Sequence, residues 1–460
     1  MKRQISQYDK MTKTPVTSLI VRLSIPTIIS MLVTNVYNLA DTAFVGRLGN
    51  SASGAVGIVF GFMAIIQAVG FMFGQGSGSI IARELGKKET EDATRTASTG
   101  FFCSLAVGVL CSIVCFLWLD PLVRVLGSTE TIAPFAKTYI SYILAAVPFM
   151  TASFVMNNIL RYEGKASLGT IGLMTGAILN IAGDPIFMFG LNMGIAGAGL
   201  STALSQTISF LILLSMFLRG KTTTKLSLRA VSVRPALLLD IMATGLPSLL
   251  RQGLNSLTTI LLNSFAGAYG DAAIAAMSIV SRIGFFVFSV ALGVGQGMQP
   301  VSGFNYGAGK FSRVRKAYWI TLAVAEGLMA IAMVGVLLNA DGLIGVFRDD
   351  TQVVAIGARA LRLHCGALLF LPFCMTSDLL LQSTGHKAEA SILSSVRSGL
   401  FFLPALPILA HVRGLAGVQE AMPLAYVLSV IPALGFMFRF FSRIPKEDQD
   451  GGEVTAGAPK

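Results

Sequence analysis

The first half of this chain reappears in its second half at a constant displacement of 221 residues. With Pro26 set on Pro247 and no gap, Gly46, Gly49, Ala52, Ala55, Val59, Gly74, Gln75, Gly76 and Gly86 fall on Gly267, Gly270, Ala273, Ala276, Val280, Gly295, Gln296, Gly297 and Gly307. Small residues held in register across two hydrophobic helices and their flanks mark one structural unit copied twice. A duplicated helical unit in a membrane is the usual construction of a carrier, with its pathway between the repeats.

The membrane follows from composition. Of 460 residues, 53% are hydrophobic and 13% charged, with a mean hydropathy of +0.71, far from the balance of a soluble domain. A bilayer core about 30 Å thick needs roughly 20 apolar residues per spanning helix. Twelve stretches meet that need: 19–43, 53–80, 96–118, 136–160, 167–189, 195–218, 238–265, 272–298, 317–338, 356–381, 389–411 and 416–440. The expected fold is an all-α membrane protein of twelve transmembrane helices in two six-helix bundles. An even number of helices per repeat brings both into the membrane from the same side, so a pseudo-twofold along the membrane normal should relate them. The chain then divides into a first lobe (1–218), a basic linker (219–236), a second lobe (237–444) and a Gly-rich polar tail (445–460) read as disordered.

A net charge of +12 and an isoelectric point near 9.6 could suit a nucleic-acid partner, but the positive residues are sorted by side. Lys2, Arg3, Lys10 and Lys13 precede the first span, Arg83, Lys87, Lys88 and Arg95 follow the second, and Arg219, Lys221, Lys225, Arg229 and Arg234 follow the sixth. Lys310, Arg313, Arg315 and Lys316 follow the eighth, whereas the opposite loops carry little beyond Arg47, Arg124, Arg348 and Arg413. By the positive-inside rule both termini are cytoplasmic, in a multi-pass protein of the inner cell membrane, and the basic charge answers to the bilayer rather than to nucleic acid. All five cysteines lie in apolar spans without CxxC spacing and read as free thiols. The first helix has no cleavage site of the secretory type and is expected to be retained.

An ionisable residue inside a span is a functional candidate by default, since the bilayer centre disfavours charge by several kcal/mol. Asp41 and Asp184 stand out. The first helix rises outward from about Leu19 and the fifth from about Ser167, which at about 1.5 Å per residue places both carboxylates toward the outer side. Asn180 lies one turn below Asp184 on the same face. The fourth and sixth helices descend from outside, with Tyr139 and Thr202 in their first two turns, so four helices bring these groups to a similar depth as a cation or proton site. Pro185 and Pro26 can each free a backbone carbonyl and bend their helices. The second repeat has no equivalents: Asp41 falls on Leu262 and, at a later displacement of 224, Asp184 falls on Ile408. Arg251, Arg282, Glu326, Asp378 and Arg397 lie within its spans and are expected to neutralise one another as ion pairs, while His364 and His386 read as structural.

Absent motifs narrow the classes further. The closest approach to a phosphate-binding loop, FNYGAGKF, has Phe304 at the first glycine position and Phe311 after the lysine, so ATP is not expected to drive the protein. HExxH and GxSxG are missing, which argues against an intramembrane hydrolase. No enzyme activity and no cofactor are expected.

SIPTIISMLVTNVYNLADTAFVGRLG in the first helix, LNIAGDPIFMFG in the fifth and VGQGMQPVSGFNYGAGK at the end of the eighth resemble the multidrug and toxic compound extrusion (MATE) transporters, over residues 15 to about 442. An aspartate in the first helix joined with Asn-x-x-x-Asp in the fifth is similar to the branch named after the DNA-damage-inducible protein F, which includes related prokaryotic multidrug efflux pumps. The resemblance implies two bundles around a V-shaped cleft and export of cationic or amphipathic compounds against entry of protons or sodium ions. It also implies that Asp41, Asn180 and Asp184 form the coupling site, with sodium as a possible occupant, that Tyr139 and Thr202 lie nearby, and that Pro26 is the bend of the first helix. A second branch uses acidic residues of the seventh and tenth helices; here the seventh-helix position is Asn255, and Asp378 is displaced from the expected place. A monomer suffices for such a mechanism. The rival readings are a lipid-linked saccharide flippase of the same architecture, which would want cationic residues lining its cavity, and a receptor or scaffold that transports nothing.

Overall fold

A computed structural model of the chain describes residues 6–348 and 350–449. Those residues form helices and no strand. Among the described residues eleven helices are long and apolar enough to cross a membrane: Val16–Gly46, Asn50–Gly86, Thr90–Leu117, Ala133–Tyr162, Ala166–Gly190, Ile195–Leu218, Asp271–Gly307, Phe311–Phe347, Thr351–Thr384, Lys387–Arg413 and Leu415–Arg443. The seventh helix in chain order, Pro235–Gly267, has 33 residues, ample to span. It is more polar than the rest because Asp240, Arg251, Gln252, Asn255 and Asn263 interrupt it. The expected twelve helices are therefore all present, each reaching to or past the expected ends except where the third stops one residue short at Leu117. Backbone polar groups must be satisfied within the segment, so helices continue until they reach polar surroundings.

Several helices are locally irregular. Ile186–Gly190 and Val396–Phe401 are π-helical, Leu368–Phe370 is a 3₁₀ turn, and Asn339 has non-helical dihedrals (φ −138°, ψ 31°) inside the ninth helix. By contrast the first helix runs unbroken through Pro26.

Two compact units can be distinguished. One comprises Pro26–Ile81 and Thr90–Gly253; the other comprises the chain up to Ile25, Ala82–Glu89, and the chain from Leu254 onward. The units thus depart from a simple cut at the linker, because both long entry helices, the first and the seventh, are divided. The cause is close packing at glycines. In the first unit the beginning of the seventh helix lies so tightly on the second that a Cβ on Gly245 would collide with the Met72 carbonyl, and one on Gly76 with that of Ile241. In the second unit Gly297 receives Ser24 in the same way, and the Ser24 hydroxyl donates to the Val294 carbonyl at 3.3 Å.

The first unit is built around its fourth span. Its apolar core includes Val59, Phe62 and Ile66 of the second span, Tyr139, Ile140, Ile143, Leu144 and Val147 of the fourth, and Ala198 of the sixth, all buried. The linker is not loose. Glu163, fully buried, accepts from the backbone N–H of Thr223 (2.7 Å) and Thr224 (2.8 Å), from the Thr224 hydroxyl (2.6 Å) and from Lys165 Nζ (3.2 Å). Four donors compensate a desolvated carboxylate.

In the second unit the polar N-terminal segment folds as a short helix, Gln7–Lys13, capped by Ser6. Asn305 Nδ2 and Arg313 Nη2 each donate to the Met11 carbonyl at 3.2 Å, and Arg313 reaches Thr14 O at 2.6 Å. The start of the tail, read from sequence as disordered, is held: Asp448 accepts from Ser312 N (2.8 Å) and Oγ (2.6 Å), and Gln449 N donates to Gly309 O at 3.0 Å. The expectation of disorder for 450–460 falls outside the described residues.

Candidate cation-coupling site

Asp41, Tyr139, Asn180, Asp184 and Thr202 meet inside the first unit. Asp184 is fully buried, Tyr139 and Thr202 are 1% exposed, Asn180 2% and Asp41 9%. Asn180 organises the group. Its amide nitrogen lies 3.3 Å from Asp184 Oδ1, 3.4 Å from Ser201 Oγ and 3.1 Å from Thr202 Oγ1. The sixth helix can come this near because Gly183 has no side chain: a Cβ there would sit 2.6 Å from Ser201 Oγ.

The carboxyl groups of Asp41 and Asp184 lie within hydrogen-bonding reach of each other. Two carboxylates so placed repel when both are ionised, and one proton or one cation between them removes the repulsion. The Tyr139 hydroxyl pairs with Thr202 and the Ser201 hydroxyl with Asp184. Among the described residues three buried oxygens here have no hydrogen-bond partner: Asp41 Oδ1, Asp184 Oδ2 and Asn180 Oδ1. A buried acceptor without a donor is costly, by about 1–3 kcal/mol and more for a charged group. An incoming proton or a hard cation with oxygen ligands supplies what these atoms lack. Among the described residues no three His, Cys, Asp or Glu side chains cluster as a metal site, so a cation here would be held by two carboxylates with amide and hydroxyl oxygens.

Backbone irregularity follows directly on the carboxylate. Pro185 lacks an N–H, and beyond it Leu191 N bonds back to Ile186 O at 2.9 Å, the i to i−5 pattern of a π-turn. Pro26 is tied to the same fifth helix, since the Thr170 hydroxyl lies 3.0 Å from the Pro26 carbonyl and accepts from Ser30 at 3.0 Å.

Sequence reasoning missed four members of this neighbourhood. Tyr37 stands one turn before Asp41, with its hydroxyl paired to Gln206, and both carboxylates act electrostatically on it. Ser201 completes the hydrogen bonding of Asn180 and Asp184, and Thr170, ten residues before Asn180, that of Pro26. The spacing that singled out Asn180 below Asp184 would equally have found Tyr37 below Asp41; Ser201 and Gln206 carry no signal beyond their proximity to Thr202.

In the second unit the counterparts are apolar: Leu262 is buried and Ile408 is 61% exposed. Three of the five residues expected to pair there do not. Among the described residues no ion pair includes Arg282, Glu326 or Arg397. Arg282 is exposed and Glu326 half-buried. Arg397 instead lies over two aromatic rings, and Asp378 accepts from Ser394 Oγ at 2.7 Å. Arg251, assigned to the second lobe from sequence, belongs to the first unit and donates to Ser248 Oγ at 3.3 Å and Gln75 Oε1 at 3.5 Å. A wide apolar helix can cover a charge with rings and neutral dipoles, and residue spacing alone does not distinguish that from ion pairing. His364 packs its ring on Tyr426, and His386 on Tyr306 and Phe440, as structural residues do.

The MatE family model matches residues 26–186 and again 247–408, once for each repeat. The chain belongs to the MatE family. As a member it is a multi-pass membrane transporter and not an enzyme. It is similar to the multidrug export protein MepA of Staphylococcus saprophyticus, with 26% identity over 422 residues covering 92% of this chain and 93% of that protein. Its fold matches a MATE family transporter of the MOP superfamily solved in an outward-facing conformation, with a TM-score of 0.90 and 28% identity over 96% of this chain and 99% of the other. A MATE transporter in a bent conformation matches with a TM-score of 0.89 and 29% identity over 95% and 98%. The MatE member described here therefore has the all-α, twelve-helix, two-lobe architecture expected from its duplication.

Proposed function

We propose that this chain is a secondary active antiporter that exports cationic or amphipathic organic compounds in exchange for protons, with sodium as the alternative ion, and that Asp41, Asn180 and Asp184 form its coupling site. The observation that carries the reading is the buried Asp41–Asp184 carboxyl pair, which has one oxygen on each carboxyl, and Asn180 Oδ1 beside them, without a hydrogen-bond partner among the described residues. The printed name of MepA, a multidrug export protein, supports the substrate class. The sorting of Lys and Arg supports cytoplasmic termini in the cell membrane. The proposed transporter works as a monomer and without a cofactor.

Ionised, the pair attracts a cationic substrate. Binding of a proton or sodium ion at Asp41 and Asp184 cancels that charge and removes the attraction, so substrate and ion exclude one another. Differential affinity of this kind is what drives an exchange cycle. Neutralisation also changes the pull on the first helix, and Pro26, bonded to Thr170, is the proposed point at which that helix bends. A MATE relative described in a bent conformation supports this role.

The test is efflux of a cationic dye from energised cells, with a protonophore in one arm and sodium withdrawal in the other. Collapse with the protonophore alone supports proton coupling; collapse on sodium withdrawal alone replaces the proton by sodium. Full efflux by a normally expressed Asp184→Asn variant would contradict the site. Flipping of a lipid-linked saccharide without dye efflux would favour the flippase reading.

A further inference from the structure

The second unit contains a charged centre for which the coupling site has no use. Arg397 sits ten residues beyond Lys387, the start of the eleventh span. At about 1.5 Å per residue this is roughly 15 Å along the helix, near the middle of a hydrocarbon core about 30 Å thick. A guanidinium at that depth is a functional feature unless a carboxylate neutralises it, and none does so among the described residues. Its centre lies 5.2 Å from the Phe288 ring and 5.6 Å from the Tyr426 ring. Both rings are buried, at 9% and 7% exposure, and His364 packs on Tyr426 with ring centroids 5.5 Å apart. The arginine itself is only part-buried. Its Nε donates to Ser398 Oγ at 3.4 Å, and its two terminal nitrogens make no hydrogen bond among the described residues.

A planar cation held by two aromatic faces, with its terminal N–H groups unspent, suits an acidic group that accepts two parallel hydrogen bonds. Position within the repeat adds a second argument. At the displacement of 220 that sets Ile195–Gly197 on Leu415–Gly417, Tyr426 is the counterpart of Gln206, a neighbour of the coupling site. The ring that flanks Arg397 in the second repeat therefore stands at a helical position whose counterpart in the first borders an acidic centre, while Arg397 itself falls on Leu173 at the displacement of 224.

We propose that Arg397, flanked by Phe288 and Tyr426, is an anion subsite that binds the carboxylate of transported aromatic zwitterions or acids. Its mid-membrane depth favours a carboxylate on an apolar body over a phospholipid headgroup, which resides at the interface. The proposal rests on the transport reading above and extends it from cations to zwitterions.

Rhodamine 110 and rhodamine 123 test it, since they share a cationic ring system and differ in carrying a free carboxylate or its methyl ester. Equilibrium binding to the purified full chain should weaken about tenfold or more for rhodamine 110 in Arg397→Gln. In Arg397→Lys, which keeps the charge and loses the fork, the weakening should be smaller. Rhodamine 123 should change by less than about twofold in both. Equal weakening of both dyes, unchanged rhodamine 110 affinity, or no binding of rhodamine 110 by the unsubstituted protein would each overturn the subsite. So would a co-purifying phospholipid lost in Arg397→Gln with dye affinities intact. Efflux of rhodamine 123 by cells expressing the unsubstituted protein reports separately on transport, because the ester offers Arg397 no carboxylate.

Discussion

The fifth helix of each repeat begins alike, Ala166-Ser167 in the first and Ala390-Ser391 in the second, and the two then diverge in charge. Ala166–Gly190 carries Asn180 and Asp184, with a π-turn directly after Pro185; Lys387–Arg413 carries Arg397 inside its own π-turn, Val396–Phe401. The regular bonding ends two residues after Asp184 in the first case and around Arg397 itself in the second. Single-turn π-bulges are frequent at functional sites because the freed backbone and widened turn accommodate a group that a regular helix would crowd. Duplication has kept the scaffold, while the π-turns and the charges beside them stand at different positions along the two helices: Asp184 falls on Ile408, and Arg397 on Leu173.

Five substitutions break or sharpen this contrast. The largest effect is expected from Asp184→Asn or Asp41→Asn, each reducing energised dye efflux to the level of cells lacking the protein, at unchanged expression measured by immunoblot. Asn180→Ala removes the amide that ties the fifth helix to Ser201 and Thr202, and should lower efflux by about tenfold, one to two hydrogen bonds to a charged site. Glu163→Gln, outside both charged sites, should leave residual efflux but lower stability by about 2 kcal/mol, seen as a reduced melting temperature in detergent, because its neutral amide replaces a carboxylate satisfied by four donors. Ile408→Ala, at the counterpart of Asp184 and 61% exposed, should alter efflux by less than about twofold. A loss at Ile408 comparable to that at Asp184 would restore the symmetry that the charges deny.

The parts of this molecule that were legible in sequence share one property: they are local or periodic. Span number and the Asn180–Asp184 face follow from hydropathy and from 3.6 residues per turn. Depth along the helices was enough to group Asp41, Tyr139 and Thr202 with that face, since spans of fixed length in a membrane leave one coordinate readable. The rotation of each helix about its own axis was not readable, and it decides whether Arg397 meets a carboxylate or two rings. Non-local contacts were hidden for the same reason. Nothing in QYDKMTK announces that Asn305 and Arg313 will hold it, and a seven-residue helix does not persist without such contacts. The tail has the composition of a disordered segment, while up to Gln449 its order comes from Gly309, Ser312 and Arg315 more than 120 residues earlier.

The central claim is that substrate and coupling ion compete for the carboxyl pair of the first repeat. Proton release on adding a cationic substrate to the purified protein in weakly buffered detergent solution measures this most directly. The unsubstituted protein should release protons as substrate binds, and Asp41→Asn/Asp184→Asn should release none. Release that persists in the double variant would place the exchangeable proton elsewhere and contradict the account.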